Sequence, residues 1–216
     1  MRTVVNDKRG EPGRRAKRRA SARTSRPRRP DTPLFRKLTP ADGEEFEAHL
    51  LRLDATDRRM RFCSSVGDEV IHDYCRAIDW RKAVILGCFV GSELRGAAEL
   101  RLIEGATLKA EFALTIEAGF QDRGLGTELL RRSLVAARNR CITTVTMICM
   151  LENARMQRIA RKFDSVLVLE DGEIEGRLRT SWPTYLSLLE EAAGEAQAWF
   201  RERSHANGQL PAKRLA

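Results

Sequence analysis

Two glycines one residue apart, Gly124 and Gly126, stand in the stretch Gln121-Asp122-Arg123-Gly124-Leu125-Gly126-Thr127. Of all the residues in this chain, these have the types and spacing best suited to chemistry. Glycines at a helix entrance let the backbone turn its N–H groups inward, and such a turn cradles phosphate. A dinucleotide fingerprint would place a third Gly where Leu129 stands, and a P-loop would need a Gly-Lys pair, which the chain lacks. Taken alone, Gly124-x-Gly126 is equally consistent with a plain turn. Other constellations fail. His49, His72 and His205 are too scattered for a metal motif, no Gly-x-Ser-x-Gly occurs, and Cys63, Cys75, Cys88, Cys141 and Cys149 are spaced as core thiols, with no zinc-ligand pattern. No metal is expected.

The elements around the loop decide between cradle and turn. Leu34 to Leu38 alternates as a short strand, and Thr39-Pro40-Ala41-Asp42 supplies an N-cap, a first-turn Pro and a first-turn acid for a helix running to about Leu53. Short helices are expected over Thr56 to Cys63 and Asp68 to Ile78, the second burying Val70, Ile71, Tyr74 and Ile78. Ala83 to Val90 and Leu94 to Ile103 form a strand pair about a tight turn, and Lys109 to Ile116 is the next strand. The glycine loop then opens a helix from about Gly124 to Arg140. A strand Ile142 to Met150, a helix Asn153 to Phe163 and a hairpin about Asp171-Gly172 follow. Helices first, then antiparallel strands, then β-α-β-α-β make this an α+β domain with a mixed, mostly antiparallel central sheet flanked by helices. Pro183 to Arg203 is an extra C-terminal helix, either packed on the domain or serving as a homodimer contact.

With that element order in place, Gln121, Gly124 and Gly126 resemble the acetyl-CoA signature of the GNAT (Gcn5-related N-acetyltransferase) superfamily, Gln/Arg-x-x-Gly-x-Gly/Ala, between its fourth strand and third helix. Ala110 to Leu114 looks like the family's fourth strand, and Glu152-Asn153 with Arg158 to Lys162 looks like its fifth-strand exit and fourth helix. The resemblance spans roughly residues 34 to 180. It implies the GNAT fold and an N-acetyltransferase that moves acetyl from acetyl-CoA to a primary amine by direct attack through a tetrahedral intermediate. The acceptor would be a small molecule or a protein. The N–H groups of Gln121, Asp122, Arg123, Gly124, Leu125, Gly126 and Thr127 would hold the CoA pyrophosphate, with Arg123 as a countercharge. The pantetheine arm would follow the strand edge at Leu114, Thr115 and Ile116, where the family splays two strands with a bulge. Asn153 would contact the CoA arm, cap its helix, or do both.

Such a reaction needs a base for the amine proton and donors for the oxyanion. Glu111 is the first choice, since a half-buried strand carboxylate is a usable base, and Glu99 on the neighbouring strand is the reserve. The oxyanion donor would be a backbone N–H near Leu114 or Thr115. One departure is plain: Ala160 stands where many family members carry a thiolate-protonating Tyr, and Asp164-Ser165 replaces their usual Gly-Phe. A weakly catalytic acyl-CoA sensor is therefore an alternative.

The chain of 216 residues carries a formal charge of +9. Residues 1 to 33 hold twelve Lys/Arg against three Asp/Glu, and the remainder balances at 27 of each sign. That distribution disfavours a uniformly basic nucleic-acid fold. The Arg- and Pro-rich segment lacks apolar residues to bury and reads as a disordered tail, either solvated without a partner or attracted non-specifically to nucleic acid or ribosomes; an adaptor for nucleic acid or ribosomes acting through this tail is a further alternative. The organisation expected is thus a tail over 1–33, a catalytic domain over 34–180, and a helix with a short tail over 181–216. Five scattered Cys fit a reducing, cytoplasmic setting. No apolar run approaches the ~18 residues of a spanning helix, so no membrane is expected.

Overall fold

Seven strands form one sheet in the order β1-β2-β3-β4-β5-β7-β6. They are β1 (Leu34–Lys37), β2 (Ala83–Val90), β3 (Glu93–Leu102), β4 (Lys109–Ile116), β5 (Thr144–Met150), β6 (Val166–Glu170) and β7 (Glu173–Arg179). The helices are α1 (Gly43–Leu51), α2 (Ala55–Phe62), α3 (Asp68–Arg76), α4 (Leu125–Asn139), α5 (Ala154–Arg161) and α6 (Tyr185–Gly208). This computed structural model describes residues 32–208 apart from 104, 106 and 107, and the backbone alone over 199–208. The basic tail expected over 1–33 therefore lies outside the described residues except at its last two positions, as does the segment after 208.

Apolar residues alternate along the strands and so serve two cores. On one face, Leu100, Phe112, Val145 and Met147 pack against Leu129 and Leu130 of α4 and Met156 of α5. On the other, Ile85, Leu94 and Ala97 meet Phe46 and Leu50 of α1 and Ile71 of α3. Each fully buried side chain of this size contributes about 1.5–3 kcal/mol. Some expectations need correction. Pro40–Asp42 is a 3-10 turn ahead of α1, fixed by the Thr39 N–H (2.7 Å) and hydroxyl (2.8 Å) donating to Asp42. In α3, Ile71 is buried but Val70 is half exposed, because only one stripe of so short a helix reaches the sheet. The C-terminal helix α6 packs on α4 and β1; Asn139 donates to the Ser187 carbonyl (3.0 Å) and Arg140 to Glu191 (2.9 Å).

The feature that positions the site is a split in the sheet. β4 and β5 are its parallel pair, joined only over Lys109–Glu111 against Thr144–Thr146. Beyond that, β4 stays on β3 to Ile116 while β5 stays on β7 to Met150, so a wedge opens between them. The expected splay is present without the expected bulge: the β3–β4 register is constant over its whole length, and the one shift described for the β2–β3 pair falls at Cys88/Phe89.

Candidate active site

Strand parity decides which backbone groups face the wedge. The Glu117 N–H donates to the Arg95 carbonyl of β3 (3.0 Å), and the Lys109 carbonyl accepts from Ile103 (3.1 Å), so the odd positions of β4 pair with β3. The even positions, Leu114 and Ile116 among them, turn the other way, toward the space β5 has left. An oxyanion donor at Leu114 is thus available, whereas the Thr115 N–H faces β3. The Thr115 side chain is buried on the α1 face, its hydroxyl 2.9 Å from His49 Nε2.

His49 Nδ1 lies 3.1 Å from Glu117, which also accepts from Arg52 (2.9 Å) and Arg95 (2.7 Å). Burial pushes the His49 imidazole down toward its neutral form. Burial alone would raise the Glu117 carboxyl, but the hydrogen bonds from His49, Arg95 and Arg52 outweigh it and bring it down to about 2. An ionised Glu117 fixes the His49 proton on Nδ1 and leaves Nε2 to accept from Thr115. This network anchors the end of β4 from behind the wedge.

The glycine loop closes one end of the wedge. Asp122 (φ 56°) and Gly124 (φ 79°) both take left-handed backbone, which curls successive N–H groups toward one side. The first intrahelical bond of α4 runs from the Glu128 N–H to Gly124 (3.1 Å), so the N–H groups of Leu125, Gly126 and Thr127 precede it as an anion-seeking helix end. A Cβ on Gly126 would meet Ile159 and Leu114 side-chain atoms at 3.0 Å, so this glycine lets α4, α5 and β4 approach. Gln121 ties the loop down: its amide nitrogen donates to the Ile116 carbonyl (2.9 Å) and reaches both Asp57 oxygens (2.9 and 3.0 Å). The Asp57 carboxyl is pushed up by burial.

These parts line an open cleft. Leu114, Thr115, Ile116, Gln121, Asp122, Gly124, Leu125, Gly126, Thr127 and Asn153, all singled out from the sequence, line it together. Arg123 does not; it donates to the Gly119 carbonyl (2.6 Å) beside the Phe120 ring. Besides Arg61, the cations that line the cleft are Arg155, Arg158 and Lys162, which the sequence reading missed as a set although their steps of three and four place them on one helix face. Arg155 and Arg158 lie 3.6 and 3.7 Å from the Asp122 carboxylate. Asn153 caps α5, its side chain accepting from the Met156 N–H (3.0 Å), while facing the cleft.

A second groove opens on the α2 side and is lined by Cys63, Glu111, Ile148, Cys149 and Glu173. It meets the first at Met60, Arg61, Leu114, Asn153 and Met156, where the strands part. Glu111 is exposed in this groove, not half buried as expected, because its side chain leaves the sheet where the β4–β5 pairing ends. Glu99 is 3% exposed and accepts from Arg61 (2.9 Å), Tyr74 (2.7 Å) and Arg101 (2.5 Å). Burial pushes the Cys63 thiol up, and likewise Cys149, to about 11. Ala160 is fully buried. Among the described residues no cluster of His, Cys, Asp and Glu could hold a metal, and no helix is long and apolar enough to cross a membrane.

Residues 34–165 match the family model described as an acetyltransferase (GNAT) domain. No curated protein sequence matches the chain. Solved structures share the fold: the GNAT domain of S. lividans PAT is 20% identical over 67% of this chain and 89% of that one, with a TM-score of 0.59. An N-acetyltransferase from Staphylococcus aureus is 13% identical over 68% and 98%, with a TM-score of 0.56. PaiA N-acetyltransferase from Thermoplasma acidophilum, in complex with coenzyme A, is 17% identical over 68% and 99%, with a TM-score of 0.53.

Proposed function

The chain belongs to the acetyltransferase (GNAT) domain family, and we propose that it transfers the acetyl group of acetyl-CoA to a primary amine by direct attack. The observation that carries this reading is the junction of two cavities, an anion-seeking cleft and a carboxylate-bearing groove, where β4 and β5 part. The residues fit the co-substrate. A side chain on Gly124 would meet no protein atom within 4 Å and would project into open space beside the loop. Beyond Glu111 the even backbone groups of β4 have no strand opposite them. Acetyl-CoA supplies the activated acyl group.

The N–H groups of the Gln121–Thr127 loop and the N-terminus of α4 hold the pyrophosphate, with Arg155, Arg158 and Lys162 beside it. Leu114 and Ile116 offer their backbone edge to the amide-bearing arm, with Asn153 across the wedge. Glu111 takes the proton of the incoming amine; its exposure in the groove lets it exchange that proton with water. The Leu114 N–H donates to the carbonyl oxygen as charge develops there. Glu99, held by three donors, is less suited to be the base and serves to fix Arg61. Ala160 offers no proton to the departing thiolate, so water supplies it. Protonated Cys63 and Cys149 thiols are poor nucleophiles, which favours direct attack over an acyl-enzyme.

The test is Glu111→Gln, which keeps the shape and cannot accept the proton. With a panel of amines and free thiol as the readout, turnover should fall by about 10² or more, while calorimetric CoA affinity stays within a few-fold. A full-rate variant would remove Glu111 from the mechanism.

A further inference from the structure

Arg61 is the charged side chain common to both cavities, and the mechanism so far leaves it idle. Its side chain is 11% exposed on α2. One guanidinium nitrogen, Nη2, makes all its hydrogen bonds, to Glu99 (2.9 Å) and to the Tyr74 hydroxyl. Nε and Nη1 have no hydrogen-bond partner among the described residues, and the residue lines both cavities. The Phe62 and Tyr74 rings flank the guanidinium, with centroids at 4.9 and 5.2 Å. Arg101 and Tyr74 already satisfy Glu99. Two guanidinium groups therefore share one carboxylate, and a surplus positive charge, clamped in place, faces the point where the strands part.

We propose that Arg61 donates from Nε or Nη1 to the thioester carbonyl oxygen, acting with the Leu114 N–H as the electrostatic stabiliser of the reacting centre. The proposal rests on the acyl-transfer reading. The amine nitrogen forms a bond to the carbonyl carbon, and the C=O electron pair moves to oxygen, which Arg61 and Leu114 hold. The pair then re-forms the carbonyl as the C–S bond breaks, the sulfur leaves with its electrons, and the amine proton passes to Glu111. A rigid donor aimed at the site of developing charge does more than a mobile one, because it needs no reorganisation during the reaction. The same cation disfavours a protonated amine at the junction, so the acceptor loses its proton before attack.

The experiment is difference infrared spectroscopy of carbonyl-labelled acetyl-CoA bound to the full chain without acceptor, alongside calorimetry with CoA and steady-state rates. The wild-type protein should shift the carbonyl stretch to lower frequency. Arg61→Met should abolish most of the shift and lower kcat by roughly 10²–10³-fold, with KM for acetyl-CoA and CoA affinity within a few-fold. Arg61→Lys retains the charge and the Glu99 contact, guards against a misfolded Met variant, and should restore part of the shift. Equal carbonyl frequencies in the wild type and Arg61→Met, with CoA still bound, would overturn the role of Arg61 and leave the acyl-transfer reading intact. A wild-type chain that binds no acetyl-CoA would overturn that reading itself.

Discussion

Asp122 puts a negative charge inside the loop proposed to hold phosphates, and its replacement by Asn should tighten CoA binding. Its carboxylate is 63% exposed and sits 3.6 Å from Arg155 and 3.7 Å from Arg158. Without ligand it partly neutralises the two cations; with phosphate present it competes for them. For a carboxylate about 7 Å from a phosphate in water, repulsion amounts to roughly 0.6 kcal/mol per unit of charge. Two pyrophosphate charges double that, and salt at physiological strength roughly halves the result. Freeing Arg155 and Arg158 adds a similar increment, so the Kd for CoA should fall by about three- to eight-fold. Asn accepts the left-handed backbone at φ 56° as readily as Asp, so the loop is not strained by the change. Calorimetry with CoA at low and at physiological salt provides the measurement, and the gain should shrink as salt rises. Unchanged or weaker binding by Asp122→Asn at low salt would refute the seating of the phosphates on this loop.

Gly126→Leu should cost more than tenfold in CoA affinity, equivalent to about 1.4 kcal/mol, because its first added carbon already meets Ile159 and Leu114 at 3.0 Å and the rest must displace α5 or enter the cleft; calorimetry on the folded variant checks this. The acid limb of stability should fall in two stages. The folded His49 resists protonation that the unfolded chain accepts, so stability present above the ordinary value of 6.5 declines below it. Glu117, folded at about 2 against an ordinary 4.5, adds stability that is complete above 4.5 and is lost as pH falls toward 2. Melting temperatures from pH 7 to 2.5 should follow both, and Glu117→Gln should flatten the lower stage.

Periodicity made most of the fold legible. β-Branched and apolar runs located all seven strands, and the Thr39-Pro40 and Gly124 signals marked helix starts to within a few residues. The cleft loop was legible for a different reason: glycine at φ 79° is demanded by backbone sterics, so the residue type itself carries the geometry. Arg61, Asp57 and Met60 were not legible. They reach the site from α2, more than fifty residues before the motif, and nothing local in ATDRRMRF says which side chain of a charged helix faces inward. Glu99 and Glu111 looked alike as strand carboxylates. Only the register separates them, since Glu99 falls beneath Tyr74 of α3 while Glu111 falls at the last paired position before the wedge.

The charge balance after residue 33 conceals a segregation that suits the proposed chemistry. Equal numbers of acids and bases would leave a randomly mixed surface without direction, yet on this domain Arg155, Arg158 and Lys162 gather along one face of α5, while Glu111 and Glu173 line the groove beyond the wedge. On the acyl-transfer reading proposed above, an anionic co-substrate and an amine acceptor would be drawn to opposite sides of the wedge. A co-substrate entering the wrong mouth would bring its phosphates to carboxylates, and a protonated amine entering the cleft would meet the cations Arg155, Arg158 and Lys162. The polarity is imposed by the sheet itself: because β4 and β5 run parallel and part only after Glu111, the passage has two distinct ends, one at the N-terminus of α4 and one against α2. On that reading the direction of entry would follow from topology, with side chains charged to match it.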